Sequence, residues 1–87
     1  MRILLIEDDP ETAEYVVEGL QSEGHDLEVA MEGRAALVRA ASETWDLLIV
    51  DRMLPGLDGL ALVRTLRASG INTRALFLTP WAGWTTG

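Results

Sequence analysis

Apolar residues gather in three short unbroken runs, ILLI from Ile3 to Ile6, LLIV from Leu47 to Val50 and ALFL from Ala75 to Leu78. Runs of this length without polar interruption read as strands covered on both faces, and such strands belong to parallel sheets. A weaker fourth segment, HDLEVA, sets His25, Leu27 and Val29 against Asp26, Glu28 and Ala30, the alternation of an edge strand. Between the runs the spacing turns helical. Asp9 and Pro10 form a cap and first-turn pair, after which Ala13, Val16, Val17 and Leu20 share a face until SEG stops the helix at Gly24. Ala36, Leu37, Ala40 and Ala41 give a shorter stripe of small residues after Gly33. Asp58 can cap a third helix that turns Leu62, Val63 and Leu66 inward and closes at Ser69 and Gly70. The order β-α-β-α-β-α-β predicts an α/β fold with a doubly wound parallel sheet and right-handed crossovers. After Thr79 the string PWAGWTTG has no charge and neither periodicity, so it does not extend the alternation.

With 87 residues, 48% of them hydrophobic, the chain is long enough for one small domain and one core. Its net charge of -7 and scattered arginines argue against direct nucleic-acid binding, which needs clustered basic residues. The absence of cysteine excludes disulfides and thiolate metal sites, and a cytoplasmic location is expected. MRILLI superficially resembles a signal peptide, but the apolar stretch stops at Glu7, far short of a membrane span.

The acids change the picture most. The first strand runs directly into Glu7, Asp8 and Asp9, and the third ends at Asp51. In an open parallel sheet, functional groups gather at the carboxyl ends of the strands. If these two strands are neighbours, roughly 4.8 Å apart, three carboxylates converge. Two such charges about 5 Å apart repel by about 3 kcal/mol at an effective dielectric near 20. A hard divalent cation such as Mg²⁺ would remove that penalty and leave one carboxylate as a candidate nucleophile toward a phosphoryl group. A single acid after a strand commonly only caps a helix or faces water, and Asp9 keeps that role. Two other phosphate chemistries fail on inspection. A dinucleotide site needs Gly-x-Gly-x-x-Gly after the first strand, where this chain is acidic. A dehalogenase-type phosphohydrolase needs a second aspartate two places beyond its nucleophile, where this chain has Met53.

RILLIEDDP, WDLLIVDRMLPGLDGL and LFLT together resemble a bacterial response-regulator receiver domain, of the kind that precedes a winged-helix DNA-binding domain in transcription regulators. The resemblance covers residues 1–79 without a gap and implies a flavodoxin-like receiver fold, incomplete here, with strands one to four and helices one to three. It implies that Glu7 and Asp8 are the metal-binding acid pair, that Asp51 is phosphorylated by a partner histidine kinase, and that the backbone carbonyl of Met53 is a further Mg²⁺ ligand. Thr79 would be the switch hydroxyl. Pro55 and Gly56 would shape the turn after the acceptor, and Asp58 and Gly59 would begin the third helix. The chain would be a phosphoacceptor and not an enzyme. His25, the only histidine, and Trp45 are expected to pack rather than to react.

The chain also departs from that family. A receiver continues past its switch threonine with a helix, a fifth strand carrying a phosphoryl-pairing lysine, and a last helix, and this sequence contains no lysine. Pro80 stands where a backbone N–H would hold phosphoryl oxygens, and proline has none. Both changes predict impaired phosphorylation, leaving metal binding and self-association as the alternative properties. Residues 80–87 are read as a tail foreign to the family. Its codons, CCN TGG GCN GGN TGG ACN ACN GGN, read one base earlier permit Ala-Leu-Gly-Gly-Val-Asp-Asp-Arg, so a one-base deletion after Thr79 is expected. A clean in-frame codon series in the gene, with no receiver remnant downstream, would refute it. Loss of the fifth strand would bare the edge of ALFLT and favour a homodimer through that edge, with Trp81 and Trp84 covering part of it.

Overall fold

A computed structural model of the chain describes residues 1–54 and 56–78. Along the chain come β1 (Arg2–Ile6), α1 (Pro10–Gln21), β2 (Asp26–Ala30), α2 (Gly33–Ser42), β3 (Leu47–Asp51), α3 (Gly59–Ala68) and β4 (Arg74–Leu78). The strands form one parallel sheet in the order β2-β1-β3-β4, which makes the chain a doubly wound α/β domain. β1 and β3 are the interior strands. Their apolar runs are continuous because each face is covered: Ile3, Leu4, Leu5 and Ile6 are all buried, as are Leu48, Ile49 and Val50.

The pleat sends alternate residues to two cores. Leu4, Ile6, Leu48 and Val50 meet Ala36 and Ala40 of α2 and Leu62, Val63 and Leu66 of α3. Ile3, Leu5, Leu27 and Ile49 meet α1 through Ala13, with Val16, Val17 and Leu20 half-buried around them. Ala41, expected on the inner stripe of α2, is exposed: Ala36 and Ala40 are the alanines of that helix that close on the sheet. β2 is an edge strand, as its alternation predicts, although Ala30 is buried beneath α2 rather than left outside. β4 departs from its unbroken pattern. It is the other edge, and Leu76 and Phe77 are exposed. No helix of the described residues is long and apolar enough to cross a membrane.

Helix ends follow local chemistry. Asp9 caps α1, its Oδ2 accepting from the Thr12 N–H at 3.3 Å and the Thr12 hydroxyl at 2.6 Å. Asp58 caps α3, its Oδ1 accepting from the Leu60 N–H at 2.9 Å. The turns after α1 and α3 pass through Gly24 (φ +89°) and Gly70 (φ +82°), in the left-handed region that glycine tolerates. Trp45 is buried before β3. Its indole N–H donates to the Arg39 carbonyl at 3.1 Å, and the Arg2 guanidinium lies 4.0 Å from its ring centre. Arg2 and Arg39 in turn pair with Glu28 and Glu43. His25 lies just before β2, with Nδ1 3.1 Å from the terminal amine.

Candidate metal centre

Glu7 and Asp8 follow the last residue of β1, and Asp51 is the last residue of β3. Ile6 pairs with Val50 in the parallel register, so Glu7 and Asp51 come next on the same rung. Glu7 is held in line by its own N–H, which donates to the Ala30 carbonyl at 3.1 Å and so prolongs the β1–β2 pairing. The outcome is the convergence expected of two neighbouring strand ends. One carboxylate oxygen from each of Glu7, Asp8 and Asp51 lies within 4.8 Å of the others.

The three acids are not equivalent. Glu7 is buried, with 4% of its surface exposed, whereas Asp8 and Asp51 are half-exposed. Burial pushes the Glu7 carboxyl up from 4.5 to about 7, with the neighbouring Asp51 acting in the same direction and the Asp9 N–H, which donates to Glu7 Oε2 at 3.2 Å, opposing it. Asp9 does not join the trio. Its carboxylate is committed to Thr12, and those hydrogen bonds hold its pKa below the usual range. Asp51 is oriented by the chain that follows it: the Met53 N–H donates to Oδ1 at 3.0 Å.

Among the described residues every ion pair involves Arg2 or Arg39, and none reaches the trio. Crowded oxygens, one buried carboxyl lifted toward neutrality and no resident cation side chain form a donor set that fits a hard divalent ion such as Mg²⁺. The exposed Met53 thioether is a soft donor that a hard ion does not select, so its part in such a site would fall to its backbone carbonyl. Pro55, Thr79 and the tail with Pro80, Trp81 and Trp84 lie outside the described residues.

Sequence reasoning did not anticipate how tightly two glycines abut this region. A Cβ on Gly59 would overlap the Asp51 carbonyl oxygen, and one on Gly33 would lie 2.8 Å from Leu57 Cβ. The only trace of this in the sequence is that both helices start on glycine.

The family profile described as "Response regulator receiver domain" matches residues 3–85. The chain belongs to that family. The match runs six residues past Thr79, the last position covered by the motif likeness (85 against 79). Among curated proteins this receiver is similar to the transcriptional regulatory protein PcoR of Escherichia coli, 42% identical over 78 residues, covering 90% of this chain and 34% of PcoR. It therefore spans about a third of the length of such relatives. Among solved structures it resembles the response regulator TrrA of Thermotoga maritima in complex with Mg²⁺ and BeF, with a TM-score of 0.87, 32% identity, and coverage of 98% of this chain and 74% of TrrA. TrrA in complex with the histidine kinase ThkA matches with a TM-score of 0.85 and 32% identity over 95% of this chain and 72% of the other. The parallel four-stranded sheet with three helices is the receiver architecture of these neighbours.

Proposed function

We propose that this receiver accepts a phosphoryl group on Asp51 from a histidine kinase, with Mg²⁺ held by Glu7, Asp8, Asp51 and the backbone carbonyl of Met53. The observation that carries the reading is the meeting of three carboxylates within 4.8 Å at the ends of two paired strands, with no ion pair to them among the described residues. When bound, the ion neutralises the trio and the oxygens of the transferring group. The chain's own residues do the rest. An Asp51 carboxylate oxygen forms the new O–P bond as the P–N bond to the kinase imidazole breaks, and the imidazole leaves with the electron pair. The Met53 N–H on Oδ1 holds the acceptor in one orientation and leaves its other oxygen for attack. Support by likeness comes from TrrA, solved with Mg²⁺ and BeF and also with the kinase ThkA. Transcriptional control is a property of relatives about three times as long and extends here only as the setting in which this receiver would act.

A second reading has its own observations. Pro80 stands where the family resemblance expects a backbone N–H toward the phosphoryl oxygens, and proline has none to give. Leu76 is 58% exposed and Phe77 36% exposed on β4, which among the described residues pairs only with β3. On this reading the chain binds metal and forms a homodimer along β4 without being phosphorylated. Intact-mass measurement after incubation with a small phosphodonor and Mg²⁺ separates the two. A gain of one phosphoryl mass, lost in Asp51→Ala, supports the first reading, and no gain at all overturns it. Light scattering tests the dimer. A dimer mass that falls to monomer in Leu76→Lys supports it, and a monomer mass for the unaltered chain refutes it.

A further inference from the structure

The loop between β3 and α3 is gripped from two sides through glycine. Gly59, the first residue of α3, is buried against the end of β3. A Cβ added there would overlap the Asp51 carbonyl oxygen and lie 2.8 Å from Val50 Cγ1 and 3.0 Å from Arg52 Cα. The Gly59 N–H donates to the Arg52 carbonyl at 3.1 Å, which ties the end of the loop to its beginning. On the other side Gly33, the first residue of α2, is buried under Leu57, and an added Cβ would stand 2.8 Å from Leu57 Cβ and 3.2 Å from its Cδ2. Between these two contacts runs Met53, whose N–H already reaches Asp51 Oδ1.

From this arrangement we infer that Gly59 and Gly33 are positioning residues that fix the Met53 backbone against Asp51 and so set which divalent ion the site prefers. The inference rests on the reading of Glu7, Asp8 and Asp51 as a cation site. Its physical basis is the difference between two hard ions. Mg²⁺ requires near-octahedral oxygens at about 2.0–2.1 Å, whereas Ca²⁺ accepts six to eight ligands at about 2.3–2.6 Å in flexible geometry. A loop displaced by a methyl group moves by something on the order of 1 Å before ordinary van der Waals separation is restored. Shared between α3 and the loop, that displacement moves the Met53 backbone oxygen by about 0.3–0.5 Å, out of the narrow Mg²⁺ shell but within the wider Ca²⁺ range.

Calorimetric titration with MgCl₂ and, separately, CaCl₂ tests this on the unaltered chain, Gly59→Ala and Leu57→Ala, with circular dichroism checking that each is folded. Gly59→Ala is expected to weaken Mg²⁺ binding about tenfold, the lower end of what outer-shell changes do to metal sites, and to weaken Ca²⁺ binding much less. Leu57→Ala, which strips Cγ and Cδ2 from the contact over Gly33 without adding bulk, shifts the Mg²⁺ to Ca²⁺ ratio in the same direction and decides the matter if Gly59→Ala does not fold. A purely structural effect lowers the competent fraction and scales both affinities by one factor. An unchanged ratio in the folded variants therefore overturns the inference while leaving the cation site standing. Binding of neither ion to the unaltered chain overturns the cation site itself, and the inference with it.

Discussion

Glu7→Gln separates the charge of the acid trio from its shape. In the metal-free protein burial and Asp51 raise the Glu7 carboxyl from 4.5 to about 7. At about 1.4 kcal/mol per pKa unit, ionising Glu7 inside the fold is opposed by about 3 kcal/mol. The folded chain holds this proton more tightly than the unfolded chain does. Its stabilising contribution is therefore complete below 4.5 and is lost as the pH rises through about 7. Glutamine has no proton to lose, and its carbonyl can still accept from the Asp9 N–H. Urea unfolding without divalent ions should find the two chains close in stability at about pH 5 and the variant more stable by about 2–3 kcal/mol at about pH 8. Saturating Mg²⁺ should reverse that order, because only the native protein then has all three carboxylates on the ion. The reasoning fails if the difference between the chains without metal is the same at both pH values, or if the native protein is the more stable one at high pH.

Three further outcomes follow from other contacts. Asp58→Ala removes the side-chain acceptor for the Leu60 N–H and should lower stability by about 1 kcal/mol in urea unfolding. Trp45→Phe keeps the buried ring but loses the indole donor to Arg39 and weakens the stacking of Arg2, and the same assay should find a loss of about 1–2 kcal/mol. Leu62→Ala empties a fully buried position between α3 and the sheet and should destabilise by about 2–5 kcal/mol, visible as a large fall in melting temperature.

The sheet was readable because its chemistry is local. ILLI and LLIV have no polar position to expose, and burial on both faces is the only arrangement that suits them. The third run, ALFL, has the same texture but a different fate. Whether a strand is interior or at the edge depends on its neighbours, and β4 pairs only with β3 among the described residues, so Leu76 and Phe77 face outward. Ala41 failed for a related reason: small residues fit either side of a helix, so a stripe of alanines does not define its inner face sharply. The meeting of Glu7, Asp8 and Asp51 was legible from strand ends alone, because parallel neighbours bring like ends together. The asymmetry among them was not. It depends on depth, and nothing in EDD says that the first acid is buried while the second reaches water. The close approaches at Gly33 and Gly59 were equally hidden, since an ordinary helix start tolerates glycine and contact between distant segments leaves no periodic trace.

Glu7 and Asp51 both stand one rung beyond the Ile6–Val50 pair. That shared rung leaves the centre no slack along either strand. A one-residue slip of β1 against β3 would carry Glu7 about 3.3 Å from its counterpart and at the same time turn every β1 side chain to the opposite layer. Alignment of the carboxylates and segregation of the two cores are thus one constraint, and the chain cannot misplace its acids by sliding without also turning its hydrophobic interior inside out.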